Sequence, residues 1–287
     1  MNSGKQTASD AKSTGTSMKK TPGGKASPVP AKNDARHLLL KSNLRQLRLP
    51  TMNAEFGPLA REAADSNQSY EQYLLRLTEL EVAARATNTL NSRIRQAQFP
   101  VHKDLDSYDF SALPSVSKQK VLELARCDWI TQHANVCLLG QPGTGKTHLS
   151  IALGLAACRE GVRTKFFTAA SLVNQLEEAQ KKFALDALLK KLDRIDLLIV
   201  DELGYLSFSR SGAELLFQVF ADRYERRSLL ITSNLSFSDW DQIFQSERMT
   251  AALLDRLTHH CHIFEMNGES YRFKQSMKEK QKTAGKD

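Results

Sequence analysis

The chain has 287 residues, of which 41% are hydrophobic, and a net charge of +8, so it has room for one large domain and a smaller one. No apolar run reaches the roughly 18 residues of a membrane span, and the amino terminus lacks a signal peptide's apolar stretch, so a cytoplasmic protein is the expectation. The basicity is not spread evenly: residues 1–33 carry +5, residues 272–287 carry +4, and everything between carries −1.

In chain order, residues 1–33 are rich in Ser, Thr, Gly, Pro and Lys, and read as a disordered basic tail. Residues 34–100 read as a helical N-terminal domain. A short amphipathic helix spans His37 to Leu47 and stops at Pro50, and a second runs from Met52 to Ala64 around Pro58. A capping box at Ser69-Tyr70-Glu71-Gln72 opens a long third helix, with Tyr73, Leu77, Leu80 and Ala84 on one face, that ends at Phe99-Pro100. This unit holds no catalytic constellation and reads as a packing or docking module. Residues 101–112 read as a linker.

From 113 to 274 the pattern alternates. Strands are expected at 135–139, 164–168, 196–201, 228–233 and 262–266, and helices at 117–130, 147–159, 170–182, 186–193, 211–226 and 248–259. Strands separated by helices imply a parallel five-stranded sheet with helices on both faces. Residues 275–287 read as a second disordered basic tail. Cys127, Cys137, Cys158 and Cys261 show no Cys-x-x-Cys spacing and are expected to be reduced.

The first strand runs into Gly140-Gln141-Pro142-Gly143-Thr144-Gly145-Lys146-Thr147, which fits G-x-x-x-x-G-K-[ST] at every fixed position. Strand, glycine-rich loop and helix make a P-loop, whose backbone N–H groups point at phosphate oxygens at a helix N-terminus. Lys146 is expected at the β- and γ-phosphates of ATP and Thr147 on Mg2+, with the nucleotide-binding stretch running through His148. The apolar strand ending in Asp201-Glu202 puts two carboxylates where a core strand tolerates none. Asp201 is expected to hold the metal or its water ligands, and Glu202 to orient and deprotonate the attacking water. Asn234 ends the next strand and is expected to donate to the γ-phosphate or to position water. Arg256 lies on a late helix from which it either pairs locally, is solvated or reaches a nucleotide on another subunit. The run His259, His260, Cys261, His262 lacks the separated spacing of a zinc site.

Gly140–Thr147, Asp201-Glu202-Leu203-Gly204-Tyr205-Leu206, Thr232-Ser233-Asn234 and Leu254-Asp255-Arg256-Leu257 follow one another as in a AAA+ ATPase. With Glu79-Leu80-Glu81-Val82-Ala83-Ala84-Arg85 and Gly268-Glu269-Ser270-Tyr271-Arg272, the chain resembles the IstB-like transposition helper ATPases, relatives of the DnaC helicase loaders, from about residue 36 to Lys274. The resemblance implies Walker A roles for Lys146 and Thr147, Walker B roles for Asp201 and Glu202, sensor 1 for Asn234, and an arginine finger acting on the neighbouring subunit for Arg256. It implies a second-sensor role for Arg272, while the short stretch after Gly268 implies a reduced or absent C-terminal lid. It also implies an ATP-dependent multimer on DNA that cooperates with the transposase of the same element. In related initiators and loaders, an insertion between the second and third strands faces DNA, which assigns phosphate contacts to Lys181, Lys182, Lys190 and Lys191. No aromatic interleaving argues for base stacking there.

The nearest alternative is a replicative helicase loader of the same architecture. A nucleotide-dependent interaction module with little turnover is disfavoured by the Asp201-Glu202 pair and Arg256, and a small-substrate kinase by the lack of an acceptor pocket.

Overall fold

The computed structural model describes residues 32–271 and 273. Arg272 and most of both tail segments lie outside the described residues, and with them the second-sensor reading and the expectation of disorder. The chain divides into two compact units, Met1–Glu81 and Val82–Asp287, so the division falls within the third helix rather than at residue 100.

The first unit contains α1 (Lys32–Gln46), α2 (Pro50–Asp65) and the start of α3 (Tyr70–Ala97). Leu44, Phe56, Leu59 and Leu77 form its small core, against which Tyr73 packs. The capping box forms as expected: Ser69 N donates to Gln72 Oε1 at 3.0 Å and Gln72 N to Ser69 Oγ at 3.2 Å. Two expectations fail. α1 buries Leu44, but Leu38, Leu39 and Leu40 stay exposed, so it is barely amphipathic. On α3, Leu80 is exposed and the neighbouring Glu81 is buried. The physical reason is capping: the Glu81 carboxylate accepts from Thr51 N at 2.8 Å and Met52 N at 3.0 Å, the first free amides of α2.

The second unit is built on β1 (Asn135–Leu139), β2 (Thr164–Thr168), β3 (Leu197–Leu203), β4 (Ser228–Ser233) and β5 (Cys261–Glu265). All pairings are parallel, in the order β2-β3-β4-β1-β5. Alternation along the strands sorts side chains to the two faces. Val136, Leu138, Leu197, Ile199 and Leu230 meet α6 (Lys146–Arg159), α4 (Lys118–Leu124) and α5 (Asp128–Thr131). Cys137, Leu198, Val200, Leu229 and Ile231 meet α7 (Ala169–Lys181), α8 (Leu185–Asp193), α9 (Arg210–Arg223), α10 (Asp241–Phe244) and α11 (Glu247–Thr258). Strands β1, β2 and β4 have the expected limits. The single helix expected at 117–130 is two, because Cys127 adopts a left-handed φ of +65° that α-helix cannot continue through. No helical domain follows β5 among the described residues, in keeping with a reduced or absent lid.

The reading of 101–112 as a linker needs correction. Tyr108 is buried and Leu105 and Phe110 pack against the same core cluster as β1 and α6. Apolar and aromatic side chains hold this irregular stretch down; its only helical element is one 3-10 turn, Phe110–Ala112, capped by Asp109.

Candidate nucleotide-binding site

A cavity of about 610 Å3 opens at the carboxyl edge of the sheet, within the size range of small-ligand pockets. Pro142, Gly143, Thr144, Gly145, Lys146, Thr147 and His148 line it from one side, and Glu202, Thr232 and Asn234 from the strand tips. Val101, Lys103, Ser107, Tyr108 and Asp109 of the presumed linker complete it, with Glu269 and Tyr271 from beyond β5.

The loop has the shape its glycines require. Gly140, Gly143 and Gly145 have φ of +147°, +83° and +91°. A Cβ on Gly140 would collide with the Met266 carbonyl, and one on Gly143 with the Ser270 side chain. α6 starts at Lys146, so its first amides open onto the cavity. The Lys146 ammonium donates to the carbonyls of Gly140 at 2.6 Å and Gln141 at 2.7 Å, and Thr144 Oγ1 donates to Gln141 O at 2.9 Å. Gly140 and Gln141 thus shape the loop without lining the cavity.

Asp201 and Glu202 are neighbours with opposite environments. Asp201 is 2% exposed and enters the site through two hydroxyls. Thr147 Oγ1 donates to its Oδ2 at 2.9 Å, and Thr232 Oγ1 to its Oδ1 at 2.6 Å. Between Val200 and Leu203 the β3–β4 register slips, and Glu202 takes a left-handed φ of +62°. This bulge turns Glu202 outward to line the cavity instead of alternating into the sheet. Its amide is caught by Thr232 Oγ1 at 2.9 Å, so one hydroxyl fixes both carboxylate residues. At the next strand tip, Asn234 Oδ1 is buried with no hydrogen-bond partner among the described residues. A buried acceptor left open beside a cavity is set up for a donor that comes with the ligand or its water.

Tyr108, Asp109, Glu269 and Tyr271 were not anticipated. Burial, helped by the Asp109 charge, pushes the Tyr108 phenol up to about 12, so its hydroxyl keeps its proton at any working pH. Its ring stands 5.1 Å from that of His148, edge to face, and 3.1 Å from where a Gly145 Cβ would sit. His148 Nε2 is 2.9 Å from the Asp104 carbonyl and 3.3 Å from Ser107 Oγ, which ties this segment to the start of α6. The clue was the Ser-Tyr-Asp-Phe run at 107–110, two aromatics around an acid, in a stretch otherwise polar.

Other expected residues lie apart. Arg256 is exposed on α11 and does not line the cavity. Lys181, Lys182, Lys190 and Lys191 are exposed on and beside α7 and α8. Ligand atoms of Glu225, His259 and His260 lie within 4.8 Å of one another, all exposed, but Tyr224 Oη is already 3.3 Å from His259 Nδ1.

The family profile described as IstB-like ATP binding protein matches residues 42–279. The chain belongs to that family. An insertion-sequence IS5376 protein of Geobacillus stearothermophilus, named for ATP binding, is 39% identical over 239 residues, covering 83% of this chain and 95% of the relative. A similarly named IS21 protein of Pseudomonas aeruginosa is 36% identical over 235 residues, covering 82% and 89%. Among solved structures, AMPPCP-bound DnaA from Aquifex aeolicus superposes with a TM-score of 0.51 at 23% identity, over 65% of this chain and 56% of that one. This chain thus shares its fold with part of that DnaA, the matched region spanning little more than half of that structure.

Proposed function

We propose that this protein is an ATP-hydrolysing, DNA-binding helper of an insertion sequence, which assembles on DNA and assists the partner transposase in target selection. The observation that carries the catalytic part is the split carboxylate pair: Asp201 buried and clamped by Thr147 and Thr232, Glu202 turned by the bulge into the cavity of the P-loop. The transposition part rests on relatives named for insertion sequences.

In this reading Lys146 leaves the loop carbonyls to neutralise the β- and γ-phosphates of ATP, while amides of the loop and of α6 donate hydrogen bonds to the phosphate oxygens. Thr147 and Asp201 suit Mg2+, being hard oxygen donors already in mutual contact at 2.9 Å. When bound, the ion supplies charge neutralisation on the β- and γ-phosphates. Glu202 accepts the proton of the attacking water and Asn234 holds that water or the γ-phosphate. Tyr108 offers its ring to the base. Arg256, exposed and outside its own cavity, serves the nucleotide of a neighbouring copy, so a lone subunit hydrolyses ATP slowly.

Mixing tests this. Lys146→Ala subunits keep Arg256 but lose their own site, and Arg256→Ala subunits keep their site but lose the finger. Each alone should turn over ATP at least about a hundredfold more slowly than the parent, and a mixture should recover activity. A mixture as inactive as its components would remove the shared-site reading. Activity of the Arg256→Ala protein equal to the parent would remove the finger itself.

A further inference from the structure

Lys182, Phe183 and Ala184 join α7 to α8. Ala184 N donates to Ala179 O at 2.8 Å and Phe183 N to Gln180 O at 3.1 Å, the paired closure that commonly ends a helix on glycine. Here the left-handed position, φ +54°, is filled by Phe183. The ring is 99% exposed. A Cβ is disfavoured in that backbone conformation, and full exposure returns no burial energy, so folding gives no reason for a phenylalanine.

The mount is firm. α7 buries Ala169, Leu172, Val173 and Leu176, and Leu185, Leu188 and Leu189 of α8 pack against the same core. Exposed charged residues stand on both helices beside it. Glu178 is held by Lys182 at 2.6 Å and Asp193 faces Arg226 at 3.4 Å, while Asp186 is spaced to meet Lys190 one helical turn on. That leaves Lys181, Lys191 and Arg194 exposed. Burial, and after it the like charge of Lys191, lower the Lys165 ammonium's proton affinity.

We propose that Phe183 is a wedge that enters between stacked base pairs of duplex DNA while lysines of α7 and α8 hold the phosphates. This rests on the DNA-binding part of the proposed function and adds a shape-reading step to it. An apolar side chain inserted at a base step partly unstacks it and kinks the duplex, most readily at flexible pyrimidine–purine steps. No aromatic interleaving of these lysines argues for base stacking in the sequence; the proposal gives that role to a single ring, Phe183, directly after Lys182.

The test uses the full chain with ATP and duplexes carrying 2-aminopurine at successive steps, followed by fluorescence, by end-to-end energy transfer and by affinity across salt. The parent should bind, brighten the probe and shorten the end-to-end distance. Phe183→Ala should bind about tenfold more weakly with an unchanged salt slope, a dark probe and a straighter duplex, and Phe183→Trp should restore all three. The Lys181→Ala, Lys191→Ala double variant should flatten the salt slope by roughly two, which tests phosphate contact independently. Turnover without DNA, unchanged in Phe183→Ala, reports intact folding. Brightening and affinity equal to the parent in Phe183→Ala would overturn the wedge and leave DNA binding standing. Loss of self-association with DNA binding intact would assign the ring to a protein contact and also overturn it. A parent that binds no duplex would fell both readings.

Discussion

The two edges of the sheet bury comparable amounts of polarity and use it differently. At the amino edge Arg223 is 3% exposed, and its guanidinium donates to the carbonyls of Leu192, Ile195, Asp196 and Ser228 at 2.9–3.1 Å. Asn135 does the same for neighbouring elements, accepting from Leu229 N at 3.0 Å and donating to Leu257 O at 3.1 Å. At the carboxyl edge Asp201, Thr232 and Ser233 are as deeply buried, yet they end at a cavity, and Asn234 Oδ1 has no partner among the described residues. The amino edge is braced by the protein's own groups, although Arg223 Nε and Ser228 Oγ stay buried without a partner among the described residues, whereas the carboxyl edge opens on a cavity. Polarity that satisfies itself holds the fold, and polarity aimed at a cavity serves a ligand.

Three substitutions press on this contrast. Arg223→Ala should cost the most stability, about 4 kcal/mol, because several buried carbonyls lose their donor at once. Urea unfolding measures it, and ATP affinity of the remaining folded protein should not change. A loss below about 1 kcal/mol would mean that water, not Arg223, closes that edge. Glu202→Gln should leave ATP affinity and unfolding midpoint near the parent values while turnover falls about a hundredfold. A matching fall in stability would make the bulge a structural device. Tyr108→Ala should weaken ATP binding about tenfold with little effect on the turnover of bound nucleotide, read by nucleotide titration beside single-turnover rates. Burial raises the Tyr108 phenol's pKa to about 12, above the ordinary 10.0, so its proton is held in the fold up to that pH. The ring's share of stability should therefore be flat from neutral pH to about 10 and be lost as pH rises from there through about 12.

Much of this was legible in the sequence. Branched apolar runs mark β1 and β4, and the Phe166-Phe167 pair between threonines marks β2, with limits that match to the residue, and the spacing of glycines and Lys146 marks the loop. What was not legible depended on long-range contact. Glu81 looks like one more solvated acid until α2's amides arrive beside it. Tyr108 and Phe110 mark their segment as aromatic, but it has no periodicity to read, and only packing on the core beside α6 makes Tyr108 a wall of the cavity. Cys127 and Phe183 take left-handed positions that composition gives no cause to expect of either residue. Arg256 is visible as a motif in sequence and lies outside the cavity in space; the function proposed above gives it a target on another copy.

The strand order has a consequence for how the protein is made. β5, near the end of the described chain, pairs directly with β1, which leads into the P-loop. Just beyond it, Met266 N donates to Leu139 O at 2.6 Å and Tyr271 N to Gly143 O at 3.0 Å, so late residues brace the loop from outside. During synthesis Lys146 emerges long before these braces do. A nascent chain therefore carries the whole P-loop sequence before residues 266–271 have been made, and the loop gains these two outer braces only after they emerge.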